Sequence, residues 1–259
     1  MGTRRLSLIV LDLMIILILA VCILPSLSSP SATPLAIVPT LTTNAPGNRN
    51  CTNEYYPVSS GATWTYSSTG GSGGSYSYVS TMIGVTETGF TVSNGVDVGV
   101  TTNARWSCEH GNLTALEGGS IASVMTGTGE AIIDSVYSEG YLIPATIVEG
   151  QTWTELLIVN STNYSGATVE GTGRSATSWE CTGGGTESVT VPAGSYLAVT
   201  ITCSISVVAE ATVFGVTYPV PDTSWDTTIW LAKHIGVVQT VSSGDSGNET
   251  VVLTAHQGP

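Results

Sequence analysis

From Thr63 onward the chain reads as short runs of Val, Thr, Ser, Tyr and Trp, each stopped by Gly, Asn, Asp, Ser or Pro, and this punctuated alternation narrows its fold most. Runs such as "TWTYSS", "GFTVSNG", "TWTELLIVN" and "ETVVLTAHQ" put neighbouring side chains on opposite faces of a strand. Between them, "SNG" at 93–95, "EHGN" at 109–112 and "SGDSGN" at 243–248 are hairpin-loop material. "GATVEGTGRSATSWEC" and "ESVTVP" read as two strands, and "TSWDTTIWLAKHIGVVQTVSSG" as one. "GSIASVMTGTGEAIIDSVYSEG" can be stretched to helical spacing, but its "GTG" and its Val and Ile residues favour strand. With only 10% charged residues and few Lys, Arg or Gln, the composition agrees: the class is all-β.

The chain opens differently. "MGTRRLSLIVLDLMIILILAVCILPSLSS" has a basic start, an apolar stretch and then small residues, the order of a secretory signal with a hydrophobic helix. Asp12 interrupts the apolar run, and Leu13 to Leu24 would rise only about 18 Å as a helix against a hydrocarbon core of roughly 30 Å. Cleavage after Ser28 is therefore expected over spanning, with retention as an anchor the alternative. "LAVC" at 19–22 offers another route, lipidation at Cys22 of a lipobox in which Val21 stands where a smaller residue is usual. The expected organisation is a signal or membrane segment at 1–28, a Pro/Ser/Thr-rich linker at 29–50, and a β domain at 51–259.

Charge excludes one class of partner. The chain carries 6 basic and 19 acidic side chains for a net charge of -13, and Arg4, Arg5 and Asp12 belong to the N-terminal segment. Such a surface repels phosphate backbones and anionic lipid heads, so nucleic acid is not an expected partner and membrane contact is expected only through the N-terminal segment.

Cys51, Cys108, Cys181 and Cys203 remain beyond Cys22, an even number that favours disulfides in an exported chain. Opposing Val191 and Ser195 across the turn "PAG" brings Cys181 nearly opposite Cys203, with the glycines 183–185 absorbing a slip of register as a bulge. Cys51 with Cys108 follows by elimination.

Two elements recur in order. "GATWT" at 61–65 and "GQTWT" at 150–154 are each followed by Trp-x-Cys-x-x-Gly, at 106–111 and 179–184, which suggests pseudo-duplicated halves; the spacing between the elements differs, and strand-start preference offers a plainer origin. Alternation puts Trp106 with Cys108, and Trp179 with Cys181, on one face of their strands. It also sets Trp225, Thr227, Ile229 and Leu231 opposite Asp226, Thr228, Trp230 and Ala232. A sheet with two partly apolar faces needs a cover, a curl or a ligand.

Tyr55, Tyr56, Pro57, Gly61, Trp64 and Tyr66, then Val191 to Gly194 with Tyr196, then Trp230, Ala232, Ile235, Gly236 and Val238 together resemble an uncharacterised exported bacterial domain family with the motifs YYP...G..W.Y, VPAG.Y and W.A..IG.V. Such domains are similar in fold to the LolA, LolB and LppX lipoprotein carriers. The resemblance implies a single strongly curved antiparallel sheet, a half-open barrel whose concave side holds an apolar ligand. It transfers no catalytic residue. Lys233 and His234 depart from the Pro and Gly usual in that last motif, so a different local turn is expected there.

Chemical motifs have plainer alternatives. "GDSG" at 244–247 spells the surroundings of a protease serine, yet His110 is the only distant upstream histidine and the letters suit a hairpin loop. Cys108 and His110 alternate onto one face, but a disulfide competes for the cysteine. Glu87, Glu109, Glu155, Glu170, Glu180 and Asp226 fall on predicted strands and could form a glycosidase pair only if the fold converges them. "GGSGGS" at 70–75 lacks the ending of a phosphate loop and reads as a hairpin tip. Five sequons, at Asn50, Asn112, Asn160, Asn163 and Asn248, matter only in a glycosylating host.

The expectation is an exported, non-enzymatic envelope protein without cofactor or metal. It binds an apolar or amphipathic small molecule or lipid through Trp64, Trp106, Trp153, Trp179 and Trp230. A structural or interaction protein is the alternative, and an extracellular hydrolase the third; oligomeric state stays open.

Overall fold

The structure is a computed structural model that describes residues 51–258 apart from 72–73, 98, 117–129, 166–167 and 245–246. The expected signal segment, the linker and Cys22 lie outside the described residues. Among those residues the secondary structure is all strand: β1 (Thr63–Gly70), β2 (Tyr76–Ile83), β3 (Gly89–Val96), β4 (Val100–Glu109), β5 (Asn112–Ala115), β6 (Glu130–Gly140), β7 (Thr152–Ser165), β8 (Thr168–Val191), β9 (Gly194–Val213), β10 (Val216–Ala232), β11 (Gly236–Gly244) and β12 (Gly247–Gln257). No helix among them is long and apolar enough to cross a membrane.

One antiparallel sheet contains all the strands in the order β5-β4-β3-β2-β1-β12-β11-β10-β9-β8-β7-β6. Strands consecutive in sequence are neighbours in the sheet everywhere except between β5 and β6. The first and last strands pair, so the chain ends meet inside the sheet, and β5 and β6, consecutive in sequence, stand at its two edges. The sheet curls until those edges approach, forming a barrel that is nearly closed. Leu113 and Ile143 form a single bridge across the gap, and the Thr114 hydroxyl donates to the Gly140 carbonyl at 3.0 Å.

Alternation decides which side of each strand faces in. On β1, Trp64, Tyr66 and Ser68 are buried while their neighbours are half-exposed, and the same alternation runs through Ile201, Cys203 and Ile205 on β9. The core they build joins β1 to β5 with β7 to β12. On β10, Thr227 and Leu231 are buried on one face, with Asp226 exposed on the other, as the alternation requires.

Several local readings are corrected by the register. Val191 pairs with Gly194, so the "PAG" hairpin has a two-residue turn, Pro192 and Ala193. The expected strands at 166–181 and 187–192 are one strand, β8, carried through the glycine run by a bulge between Gly183 and Thr186; that slip sets Cys181 opposite Cys203. Conversely, the stretch from Thr223 breaks into β10 and β11 at Lys233–Ile235, where His234 takes a positive φ of 63° that a glycine would adopt more easily. "YPVP" extends β10 where β10 pairs only with β9, and prolines are tolerated because no β11 donor or acceptor is needed there. His110, with φ 52°, lies in the turn between β4 and β5 rather than on the strand face of Cys108.

Two disulfides pin this arrangement. Cys181 is bonded to Cys203 across β8 and β9, with Cα atoms 4.0 Å apart. Cys51 is bonded to Cys108, with Cα atoms 5.2 Å apart, and ties the segment before β1 to the end of β4.

Candidate functional site

One end of the barrel is floored. Gly61 and Gly150 hold positive φ values of 84° and 79°, the turn each strand needs before it enters the wall. Three residues on, Trp64 and Trp153 are buried, and both use the indole N–H in the same way. Trp64 donates to the Ile235 carbonyl at 2.6 Å, and Trp153 to the Leu142 carbonyl at 3.1 Å. Each ring thereby fastens a connecting segment, the β10–β11 turn in one case and the chain between β6 and β7 in the other. The two copies share this geometry but not their neighbours, for Trp153 lies directly opposite Cys181 on the next strand, whereas β2 and β3 separate Trp64 from Trp106 and Cys108.

The segment 51–60 completes the floor. Buried Asn53 donates to the carbonyls of Gly111 (2.8 Å) and Pro144 (3.0 Å), while its own oxygen accepts from the backbone of Tyr55 and Tyr56. That places Tyr56 inside, stacked on Trp64, Phe90 and Trp106 with ring centroids 5.8–6.1 Å away. Phe90 and Trp106 are themselves nearly parallel, 8° apart. Lys233 reaches Glu54 at 2.8 Å and lies 5.6 Å from the centre of the Tyr55 ring, so the residue that departs from the motif clamps the β10–β11 turn to this segment.

Above this aromatic floor lies a concavity of about 520 Å3. Its walls come from Trp64 and Tyr66 of β1, Tyr76 and Tyr78 of β2, Val92 and Val96 of β3, Ala104 and Trp106 of β4, Ile201 of β9, Ile229 and Leu231 of β10, and Val237 of β11. The polar groups among the lining are few: Ser80, Asn94, Thr240 and Glu249 besides the tyrosine hydroxyls. The Ser80 hydroxyl donates to Asn94 at 2.6 Å, and the Tyr66 hydroxyl to the Val237 carbonyl at 3.0 Å. Burial holds the Tyr56, Tyr66 and Tyr78 phenols well above the ordinary tyrosine range, and burial first, then the hydrogen bond to Glu249, pushes Tyr76 up to about 12. All four are neutral donors at physiological pH.

The tryptophans singled out from the sequence divide three ways. Trp64 and Trp106 line the concavity. Trp153 and Trp179 lie on the same inner side of β7 and β8, packed with the core, but outside its lining. Trp230 alternates with the lining residues Ile229 and Leu231, and its indole donates to the exposed Glu187 carboxylate, so it does not belong to this cavity. Tyr56, Tyr76, Tyr78, Phe90 and Glu249 were not in that set; the period-2 "YSYVS" was the available signal for two of them.

The chemical motifs resolve otherwise. Cys108 is consumed by its disulfide, which removes the metal reading with His110, and among the described residues no group of three His, Cys, Asp or Glu could hold a metal ion. Gly244 pairs with Gly247 as the ends of a hairpin, with Asp245 and Ser246 outside the described residues. Glu87 falls in a turn, Glu109 and Glu180 are exposed, exposed Asp226 accepts from Ser204 at 2.6 Å, and the Glu170 side chain lies outside the described residues. Glu155 is the exception, 1% exposed and inward-facing. Its Oε1 accepts from the Ala115 N–H at 2.7 Å, its Oε2 has no partner, and burial raises its pKa to about 8.

No protein-family model matches the chain, and no curated protein matches it at a significant level. Among solved structures it is similar to a candidate exported protein with a YmcC-like fold from Bacteroides fragilis NCTC 9343, at 14% identity and a TM-score of 0.47 over 80% of this chain and 100% of that one. It is also similar to a candidate lipoprotein from Parabacteroides distasonis ATCC 8503, at 12% identity and a TM-score of 0.48 over 79% of this chain and 99% of that one.

Proposed function

We propose that this chain is an exported, non-enzymatic envelope domain that holds an apolar or amphipathic small molecule or lipid inside its barrel. The observation that carries the reading is the concavity of about 520 Å3, floored by stacked rings and walled by aliphatic and aromatic side chains, with few polar groups. That volume and lining match a small-molecule site. The two disulfides support an oxidising compartment, and with it the reading of residues 1–28 as a signal or anchor and 29–50 as a linker. Native mass spectrometry of the domain purified from an exporting host tests the reading directly. A co-purified apolar molecule at one per chain supports it; an unliganded domain that also takes up no added amphiphile contradicts it.

The competing interaction reading draws on a different place. At the β9–β10 tip Phe214 is 77% exposed, with Val216, Tyr218 and Val220 also exposed. Self-association lost in Phe214→Ser would favour that reading, and a concentration-independent monomer would count against it.

A further inference from the structure

The lining of the concavity contains one acidic side chain, Glu249, and no Lys, Arg or His. Glu249 sits near the start of β12, opposite Gly70 of β1, and therefore toward the end of the barrel away from the floor. Its setting is built. The Ser68 hydroxyl donates to Oε1 at 2.6 Å and the Tyr76 hydroxyl to the same oxygen at 2.7 Å, which leaves Oε2 to accept from something else. Below it the rings of Tyr76, Tyr78 and Tyr66 form a ladder, with centroids 6.1 and 5.0 Å apart. The Tyr76 and Tyr66 hydroxyls are committed as donors to Glu249 and to the Val237 carbonyl, so neither is free to donate to an anionic head.

We infer that the occupant of the concavity is a cationic amphiphile, an apolar chain or ring system ending in an ammonium or comparable positive group, with that group at Glu249 and the tyrosine ladder and the apolar part over the aromatic floor. The inference rests on the carrier reading and narrows it. A carboxylate or phosphate head would meet Glu249 with no lining cation to compensate it, at a cost that grows as water is displaced. A neutral head would leave the carboxylate unused. The net charge of -13 works in the same direction by drawing cations toward the domain.

Three twelve-carbon probes separate the possibilities: dodecyltrimethylammonium, dodecan-1-ol and dodecanoate, titrated calorimetrically at neutral pH below their micellar concentrations. The wild type is expected to bind the ammonium about tenfold more tightly than the alcohol, and the carboxylate most weakly. Glu249→Gln keeps an oxygen for Ser68 and Tyr76 but removes the charge, so the ammonium preference should disappear while alcohol binding persists. Equal ammonium binding by wild type and Glu249→Gln, or tighter binding of dodecanoate, overturns the charge assignment and leaves the carrier reading intact. Failure of all three probes to bind overturns both.

Discussion

The Glu155 carboxyl accepts the backbone N–H of Ala115 at 2.7 Å across the gap where β5 and β6 would otherwise have to pair. A side chain here stands in for the carbonyl of a missing strand partner, which lets the curled sheet meet itself without a full ladder. The same carboxyl is 1% exposed, and its Oε2 has no partner. A neutral acid tolerates that burial far better than a carboxylate does.

Stability should therefore depend on pH in a defined direction. In the fold Glu155 keeps its proton up to about pH 8, whereas in the unfolded chain it ionises near 4.5. Its contribution is fully present below the lower value and is lost as pH rises toward the upper one, with a slope approaching about 1.4 kcal/mol per pH unit. Glu155→Gln keeps an acceptor for Ala115 and cannot ionise. Urea midpoints between pH 5 and 8 should fall more steeply for the wild type than for the variant; parallel profiles would refute the assignment.

The paired tryptophans give a matched comparison. Trp64→Phe and Trp153→Phe each keep a ring but delete the N–H that holds Ile235 or Leu142, so each should cost about 1 to 3 kcal/mol in denaturant unfolding. Only Trp64 lines the concavity, so only its replacement should also alter uptake of an apolar probe. Equal effects of the two on probe uptake would contradict the assignment of Trp153 to the floor's fastening alone.

The disulfides differ in reach, closing segments 57 and 22 residues apart. Chain entropy alone assigns about 4 kcal/mol to Cys51–Cys108 and about 3 kcal/mol to Cys181–Cys203. Replacing Cys51 and Cys108 with serine should thus destabilise more, and it should also weaken probe binding, because the segment it anchors carries Tyr56 into the floor. Guanidinium denaturation with a parallel probe titration checks both parts.

Much of the wall was legible because alternation is a local signal. Trp106 with Cys108, and Ile229 with Leu231, follow from counting by twos, and the glycine run announced its bulge. The site was less legible. Trp230 looks equivalent to Trp64 in a list of aromatic residues, yet only the parity of β10 relative to Ile229 decides that it points away. Glu155 and Ala115 lie 40 residues apart, on strands brought together by closure of the whole sheet, and Glu249 gains its meaning from Tyr76, 173 residues away. No local pattern encodes such meetings; the curl creates them.

Filling the concavity tests the central claim most directly. Ala104 is a small inward residue of its wall, 6% exposed, and Ala104→Trp would occupy the space without touching the floor bonds or the disulfides. In titrations with the apolar fluorophore N-phenyl-1-naphthylamine, the wild type should show saturable binding at one per chain, and Ala104→Trp, once shown by circular dichroism to retain its strands, should bind at least tenfold more weakly. Indistinguishable binding by the two proteins, or none by the wild type, would contradict a ligand held inside the barrel.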